Sequence, residues 1–467
     1  MTPTRFDLRN GALLTPPEEE VISCKPRGCE LRHLREVESR TRRRAGASNL
    51  SDALRVVGLA GALVVTCTWP GVAAQASASA AVSAGLKRGA PVAAKRAAVA
   101  AGLYHGLALS SSGVVFAWGW NIVGQLGNGS TNGSDVPVRV RLPGGTRVTG
   151  ISAGFAHSVA VTSTGAVLAW GKNYNGDLGN GSTTDSDVPV KVSLPPGTQV
   201  IAIAAGSEHS LAVTSTGAVL AWGYNADGQL GNGGTGSSNV PVNVSLPAGT
   251  NVTAVAAGAL HSLAVTSTGA VLAWGYNADG ELGDGGTTNS DVPVTVKLPA
   301  GTKVTAVAAG GYYSLALTAT GRVLAWGYNA DGELGDGGTT NSDVPVMVKL
   351  PAGTKVTAVA AGGSPEGVGG ATFGPGHSLA LTASGAVLAW GYNTDGELGN
   401  GGTASSDVPV KVKLPAGTKV TAVAAGELHS LAVTSRGTVL AWGGNNFGQL
   451  GDGNYKGSDL PVKVNLP

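Results

Sequence analysis

Along most of the chain, short apolar runs alternate with polar, glycine-bearing stretches, and the alternation keeps a fixed period. One set reads Val304-Thr-Ala-Val-Ala-Ala309, Ser314-Leu-Ala-Leu317, Val323-Leu-Ala-Trp326 and Val344-Pro-Val-Met-Val348. Runs this short, rich in Val and closed off by Gly, Ser-Thr-Gly and Pro-Ala-Gly signals, are strands rather than helices. The Trp of Ala-Trp-Gly marks the repeat at Trp118, Trp170, Trp222, Trp274, Trp326, Trp390 and Trp442, a spacing of 52 residues except for 64 between Trp326 and Trp390. The pattern therefore predicts seven copies of a four-stranded unit, with strands A to D in chain order. Strand D carries Val-Pro-Val, and a proline without an N–H fits only at a sheet edge, so D is the outer strand.

Units of this kind stack into an open solenoid or close into a propeller. The last copy stops at Leu466-Pro467, where a further strand A would follow, whereas Pro91 to Gly102 matches Pro351 to Gly362 in length and in its closing Val-Ala-Ala-Gly. An N-terminal strand that completes the first set is how a ring is closed. The expected fold is all-β, a seven-bladed propeller over residues 91–467, and removal of Pro91 to Ala101 is expected to leave the seventh blade open.

The motif Ala-Ala-Gly-x-x-His-Ser-Leu-Ala and its companion Ala-Trp-Gly-x-Asn-x-x-Gly-Gln-Leu-Gly, with histidines at His105, His157, His209, His261, His377 and His429, resemble the regulator of chromosome condensation repeat family. The resemblance spans 91–467 and implies seven-bladed propellers with blades of this size. That family includes a nuclear exchange factor for a small GTPase, proteins of many other roles, and a secreted β-lactamase inhibitory protein similar in its repeat core. It implies a fold and leaves function open. Two departures stand out: Tyr313 replaces the His, and Gln125, Gln229 and Gln449 give way to Asp177, Glu281, Glu333 and Glu397.

Composition changes the picture mainly at the N-terminus. Cys24, Cys29 and Cys67 all lie in the leader, so the body needs no disulfide or thiolate metal site. Cys24, Cys29 and His33 lack the fourth ligand that zinc requires. From Arg42-Arg43-Arg44 and Arg55 through the apolar run 56–65 to the small residues Gly71 to Ala80, the order is that of a secretory signal peptide. Residues 1–80 are thus expected to form a leader with a signal peptide, apolar core 56–65, cleaved between Ala74 and Ala80, and 81–90 a linker. The mature protein is expected to be secreted or associated with the cell envelope, without a stable membrane span. The first 90 residues hold 13 Lys/Arg and 8 Asp/Glu, leaving 18 basic and 21 acidic residues for a mildly acidic body that has no electrostatic case for nucleic acid.

Candidate chemistry is sparse. The seven tryptophans read as packing between blades. One histidine per blade is dispersed by symmetry rather than converged on a reacting atom, so hydrogen bonding within each blade is the expected role. Asn277-Ala-Asp279-Gly280-Glu281 and its copies at Asn329 and Asn393 lack the leading Asp and distal Glu of a calcium loop and read as tight turns. Leu272 to Gly310 differs from Leu324 to Gly362 only at Thr295 against Met347. Blades so alike are not individually specialised for catalysis. No catalytic, cofactor-binding or metal-binding residue is expected, and the chain is expected to be a monomer.

Strand parity sorts the loops into two faces. The A–B and C–D loops share one face, and their sequences differ between blades; the Ser-Thr-Gly and Leu-Pro-Ala-Gly-Thr turns of the other face are nearly constant. The 12 extra residues of the sixth copy also enter an A–B loop, between Gly363 and Gly376. Aromatic and apolar loop tips read as a protein-binding surface. The residues expected to carry it are Tyr104, Trp120, Phe155, Tyr174, Glu208, Leu260, Tyr312, Glu366, Phe373, Leu428 and Phe447. The leading expectation is a non-catalytic exported scaffold that binds a protein or a cell-envelope component; the alternatives are an exchange-factor-like regulator of a small GTPase and a secreted enzyme inhibitor.

Overall fold

The computed structural model describes residues 98–363 and 376–467. The leader, the linker, and Glu366 and Phe373 of the inserted loop lie outside the described residues. Among the described residues every regular element is a strand, and the strands form seven four-stranded antiparallel sheets. Each sheet is contiguous in sequence: A, B, C and D pair in that order, from the inner edge at A to the outer edge at D. Blade 1 comprises Ala98–Ala101, His105–Leu109, Val115–Gly119 and Ser134–Arg139; blade 7 comprises Val420–Ala425, His429–Thr434, Val439–Gly443 and Ser458–Lys463. Blades 2 to 6 fall at 148–191, 200–243, 252–295, 304–347 and 356–411.

The N-terminal strand closes the ring by completing blade 1. Blade 7 already owns its strand A at Val420–Ala425, so the expectation that loss of Pro91 to Ala101 opens the seventh blade is corrected: the first blade loses its inner strand. The sequences of successive strands are split between blades by the Leu-Pro-x-Gly-Thr connections, and no described blade mixes strands from the two chain ends.

The core lies between sheets rather than within them. In strand C the register with D shifts at the tryptophan, as between Ala273 and Gly275, and such a bulge re-aims the side chain. Trp274 thereby enters the core of blade 3, beside Leu211, Val219, Leu230 and Val244, and is fully buried. Its Nε1 donates to the Gln229 carbonyl at 2.8 Å, which satisfies the one polar atom of the ring. The same bond recurs around the ring, and at the seam Trp118 donates to the Gln449 carbonyl at 2.8 Å. A second latch accompanies it, in which a C–D loop amide donates to a carbonyl of the next strand D; Gly453 N to Asp135 O spans the seam at 2.9 Å, the same length as Gly285 N to Asp343 O inside the ring.

The histidines depart from expectation in one respect: their partner is in the neighbouring blade. His105 Nε2 meets Ser158 Oγ at 3.0 Å, and His157, His209, His261 and His377 meet Ser210, Ser262, Ser314 and Ser430 in the same way. Ser158 Oγ itself donates to the Gln125 carbonyl, so His105 donates through Nε2, and burial, which lowers its pKa to about 3, keeps the ring neutral. Tyr313 keeps the connection by other means. Its hydroxyl donates to the His377 carbonyl at 2.7 Å and accepts from Ser378 Oγ at 3.1 Å.

Candidate protein-binding face

The two variable loops of each blade lie against one another, as parity requires. Strand C ends at a glycine of positive φ, Gly119 at 99°, where a side chain would collide with the Tyr104 carbonyl. The chain then turns outward, and Trp120 N donates to that carbonyl at 2.8 Å. The C–D turns are held by their own asparagines: Asn277 Oδ1 accepts from Leu282 N at 2.9 Å, while its Nδ2 donates to the carbonyls of Gly286 and Thr288. The asparagine amide of the turn is thus spent on the turn's own shape.

On this scaffold, blades 7, 1 and 2 assemble an aromatic patch. Tyr104 lies 4.6 Å from Phe447 between ring centroids, and Trp120 stands edge-on to Tyr104 at 6.2 Å and to Phe155 at 6.3 Å. Leu103, Phe155 and Ala156 form the buried floor, with Tyr104, Trp120 and Val123 half-buried above it. Lys172 Nζ sits 4.9 Å from the Phe155 centroid and is ion-paired with Glu208. Asn175 Nδ2 donates to the other Glu208 oxygen at 2.6 Å. Burial, together with the Glu208 charge, pushes the Asp177 carboxyl up to about 7, and Lys172 opposes the rise. Burial raises the Tyr104 hydroxyl, and the Glu427 and Asp395 carboxylates add to the effect.

The structure brings together Tyr104, Trp120, Phe155, Phe447 and, through Lys172, Glu208. Tyr174, at 77%, and Ile122, at 61%, are the most exposed large apolar side chains of the face among the described residues. Depth separates the remaining expectations. Phe155, Tyr312 and Leu428 are each only 7% exposed, so as the structure stands they support loops rather than offer free rings. Tyr312 packs edge-on against Tyr276 at 5.5 Å on blade 5, apart from the patch, and Leu260 is half-buried on blade 4. At the opposite end of the ring, the inner strands surround a cavity of about 710 Å³ whose lining includes Val99, Ile151, Thr357, Ala358, Thr421 and Lys419.

The repeats match models of known families across the whole ring. The RCC1-like domain matches residues 234–467, and two models of the regulator of chromosome condensation (RCC1) repeat match 112–161 and 164–213, and 97–125, 148–177 and 200–229. The chain belongs to the RCC1 repeat family. As an RCC1-repeat propeller it is 34% identical over 358 residues to the ultraviolet-B receptor UVR8 of Arabidopsis thaliana, covering 76% of this chain and 79% of that one. It is 37% identical over 262 residues to the human E3 ubiquitin-protein ligase HERC2, but spans only 5% of that protein's length. Among solved structures, human WBSCR16 matches with a TM-score of 0.65 and 27% identity over 76% of this chain and 95% of that one. Prp20p of Saccharomyces cerevisiae, described with its binding to Gsp1p and histones, matches with a TM-score of 0.65 and 25% identity over 78% and 88%.

Within this RCC1-repeat propeller, sequence reasoning picked out Trp120 but missed the rest of its column. The residue after Ala-Trp-Gly reads Trp120, Lys172, Tyr224, Tyr276, Tyr328, Tyr392 and Gly444 around the ring, and the structure places it on the variable face. The aligned repeats carry that signal openly. Tyr455 of the last C–D loop, 57% exposed, was missed as well.

Proposed function

We propose that this propeller is a non-catalytic, exported scaffold that binds a protein partner through the aromatic patch of blades 7, 1 and 2. One observation carries the reading. The C–D loops of blades 3 to 6 repeat one another closely, whereas Tyr104, Trp120 and Phe447 gather half-buried rings at one sector whose loops also carry the exposed Ile122 and Tyr174. Such a rigid aromatic cluster offers a large apolar contact at low entropic cost. Prp20p, a relative of similar fold, is described as binding proteins, which supports the class of function. Export rests on the order of residues from Arg42 to Ala80.

Affinity capture with the full chain and its Trp120→Ala and Tyr104→Ala variants tests the reading. A partner retained by the parent chain should be lost from both variants, since an aromatic anchor contributes about 2 kcal/mol or more, roughly thirtyfold in Kd. Changes in the Ser215-Thr-Gly217 turn of the opposite face should leave capture intact. Retention by the patch variants together with loss by the turn variants would reject the assigned face. N-terminal sequencing of secreted material checks export, with a start between Ala74 and Ala80 expected.

A further inference from the structure

Blades 3 to 6 carry a second surface on the same face, of different chemistry. Tyr224, Tyr276, Tyr328 and Tyr392 follow the Ala-Trp-Gly of each blade, and Asp227, Asp279, Asp331 and Asp395 stand three residues further on. The tyrosines and the first three aspartates are half-buried, and Asp395 is exposed. The two series interleave across blade boundaries. Burial raises the Tyr276 hydroxyl, with Glu281 and Asp279 of its own blade and Asp227 of the preceding one adding to the effect; burial, Glu333, Asp331 and Asp279 raise Tyr328 in the same way. Amides bridge the same boundaries: Asn289 Nδ2 donates to Asp227 Oδ1 at 3.1 Å, and Asn341 Nδ2 to Asp279 Oδ1 at 2.8 Å.

Beneath this arc lie three fully buried carboxyl groups, Glu281, Glu333 and Glu397. One oxygen of each accepts from the backbone N–H of the arc's own aspartate, at 3.0 Å for Asp279, 2.9 Å for Asp331 and 3.0 Å for Asp395. The other oxygen, Oε1, has no hydrogen-bond partner in any of the three. The buried carboxyls therefore support the turns, and the charge that the arc offers to solvent is that of its own aspartates. Among the described residues the ion pair on this face is Lys172 with Glu208, at the arc's edge.

We propose that the arc is a docking track for an extended Lys/Arg-rich segment of a protein partner. Its cations meet Asp227, Asp279, Asp331 and Asp395, and its side-chain stems and guanidinium planes lie on the intervening tyrosines. Carboxylate and aromatic face together are the combination that favours a cation, whereas an anionic ligand is repelled and a neutral apolar one leaves the aspartates unpaired. The repeat places an equivalent anchor pair on four consecutive blades, which suits a chain running along the ring rather than a compact ligand. This deepens the protein-binding reading above and rests on it.

Fluorescence anisotropy of a labelled octa-arginine peptide, titrated with the full chain, tests the proposal, with octa-glutamate as the control. Octa-arginine should bind saturably and octa-glutamate should not. The double variant D279N/D331N should weaken binding tenfold or more. D284N/D336N, which changes the net charge equally farther along the same loops, should change it less than twofold. Tyr328→Leu should weaken binding and Tyr328→Phe should keep it, with unchanged melting temperatures showing that all four variants are folded. Equal losses in the two double variants, or no octa-arginine binding to the parent chain, would overturn the proposal. If octa-arginine fails to bind while Trp120-dependent capture persists, the arc alone is rejected; if that capture is absent too, the protein-binding reading falls with it.

Discussion

His429 of blade 7 stands opposite Gly106 of blade 1, the position at which the five other repeat histidines and Tyr313 find a serine. Both nitrogens of its buried imidazole are without a hydrogen-bond partner, while His209 in the regular part of the ring meets Ser262 Oγ at 2.9 Å. The seam between the first and last blades keeps its tryptophan and glycine latches and lacks this third bond. His429→Leu should therefore destabilise the propeller less than His209→Leu, by about 1 kcal/mol, because only the second substitution removes a formed bond. Urea denaturation midpoints of the two variants check this; equal losses would count against it.

Stability should peak in mildly acidic solution. Burial holds the six repeat histidines at about 3, below the ordinary 6.5, so the unfolded chain takes up protons first and stability falls as pH drops from 6.5 towards 3. Burial pushes Glu281, Glu333 and Glu397 up to about 8 from 4.5, so their contribution is complete below 4.5 and is lost as pH rises to 8. The maximum then lies between 4.5 and 6.5. A triple change to Gln, the residue that blades 1, 3 and 7 carry at this place, should flatten the alkaline limb of a melting-temperature profile and leave the acid limb unchanged. An alkaline limb of unaltered slope would argue against the buried carboxyls as its source.

Deletion through Ala101 should open blade 1. Strand A there pairs with strand B from Ala98 against Leu109 to Ala101 against Gly106, and Ala101 packs with Ala424 and Leu431 of blade 7. Losing it bares a sheet edge and one side of the seam, which favours aggregation. Size-exclusion chromatography and thermal melts should show oligomers and a lowered, less cooperative transition; a monomer with the parent melting temperature would show that the strand is dispensable.

Glycines of similar φ should differ in tolerance. Gly228 (φ 85°) lies where an added Cβ would meet the Asp291 backbone of the next blade at 2.5 Å, whereas Gly249 (φ 77°) has nothing within 4 Å. Gly249→Ala should cost about 1 kcal/mol for the left-handed conformation alone. Gly228→Ala adds the inter-blade collision and should cost more than twice as much in a denaturant melt. Similar costs would mean that the loop shifts away from its neighbour freely.

The blades were legible because their signals are local: each run of Val and Ala and each Ser-Thr-Gly turn states its own strand or reversal. Strand D was identified as the edge from Pro345 and its equivalents, and the tryptophans as inter-blade packing from their repetition. What escaped depended on the neighbour. Parity placed Phe155, Tyr312 and Leu428 on the correct face but could not give their depth, which is set by loops of other blades; Tyr276, for instance, covers Tyr312. The histidines were assigned bonds within a blade because Ser158, the partner of His105, is 53 residues away in sequence and adjacent only once two sheets are packed. The tyrosine and aspartate column was present in the aligned repeats, but its meaning as a surface needs the ring.

Since no described blade borrows a strand from another, the unit of the fold and the unit of the sequence coincide. Unequal recombination between two copies would insert or remove a whole sheet together with its latches, without unravelling a neighbour. Leu272 to Gly310 and Leu324 to Gly362, one repeat apart, differ at a single residue. Variation then accumulates without penalty only where a blade meets solvent.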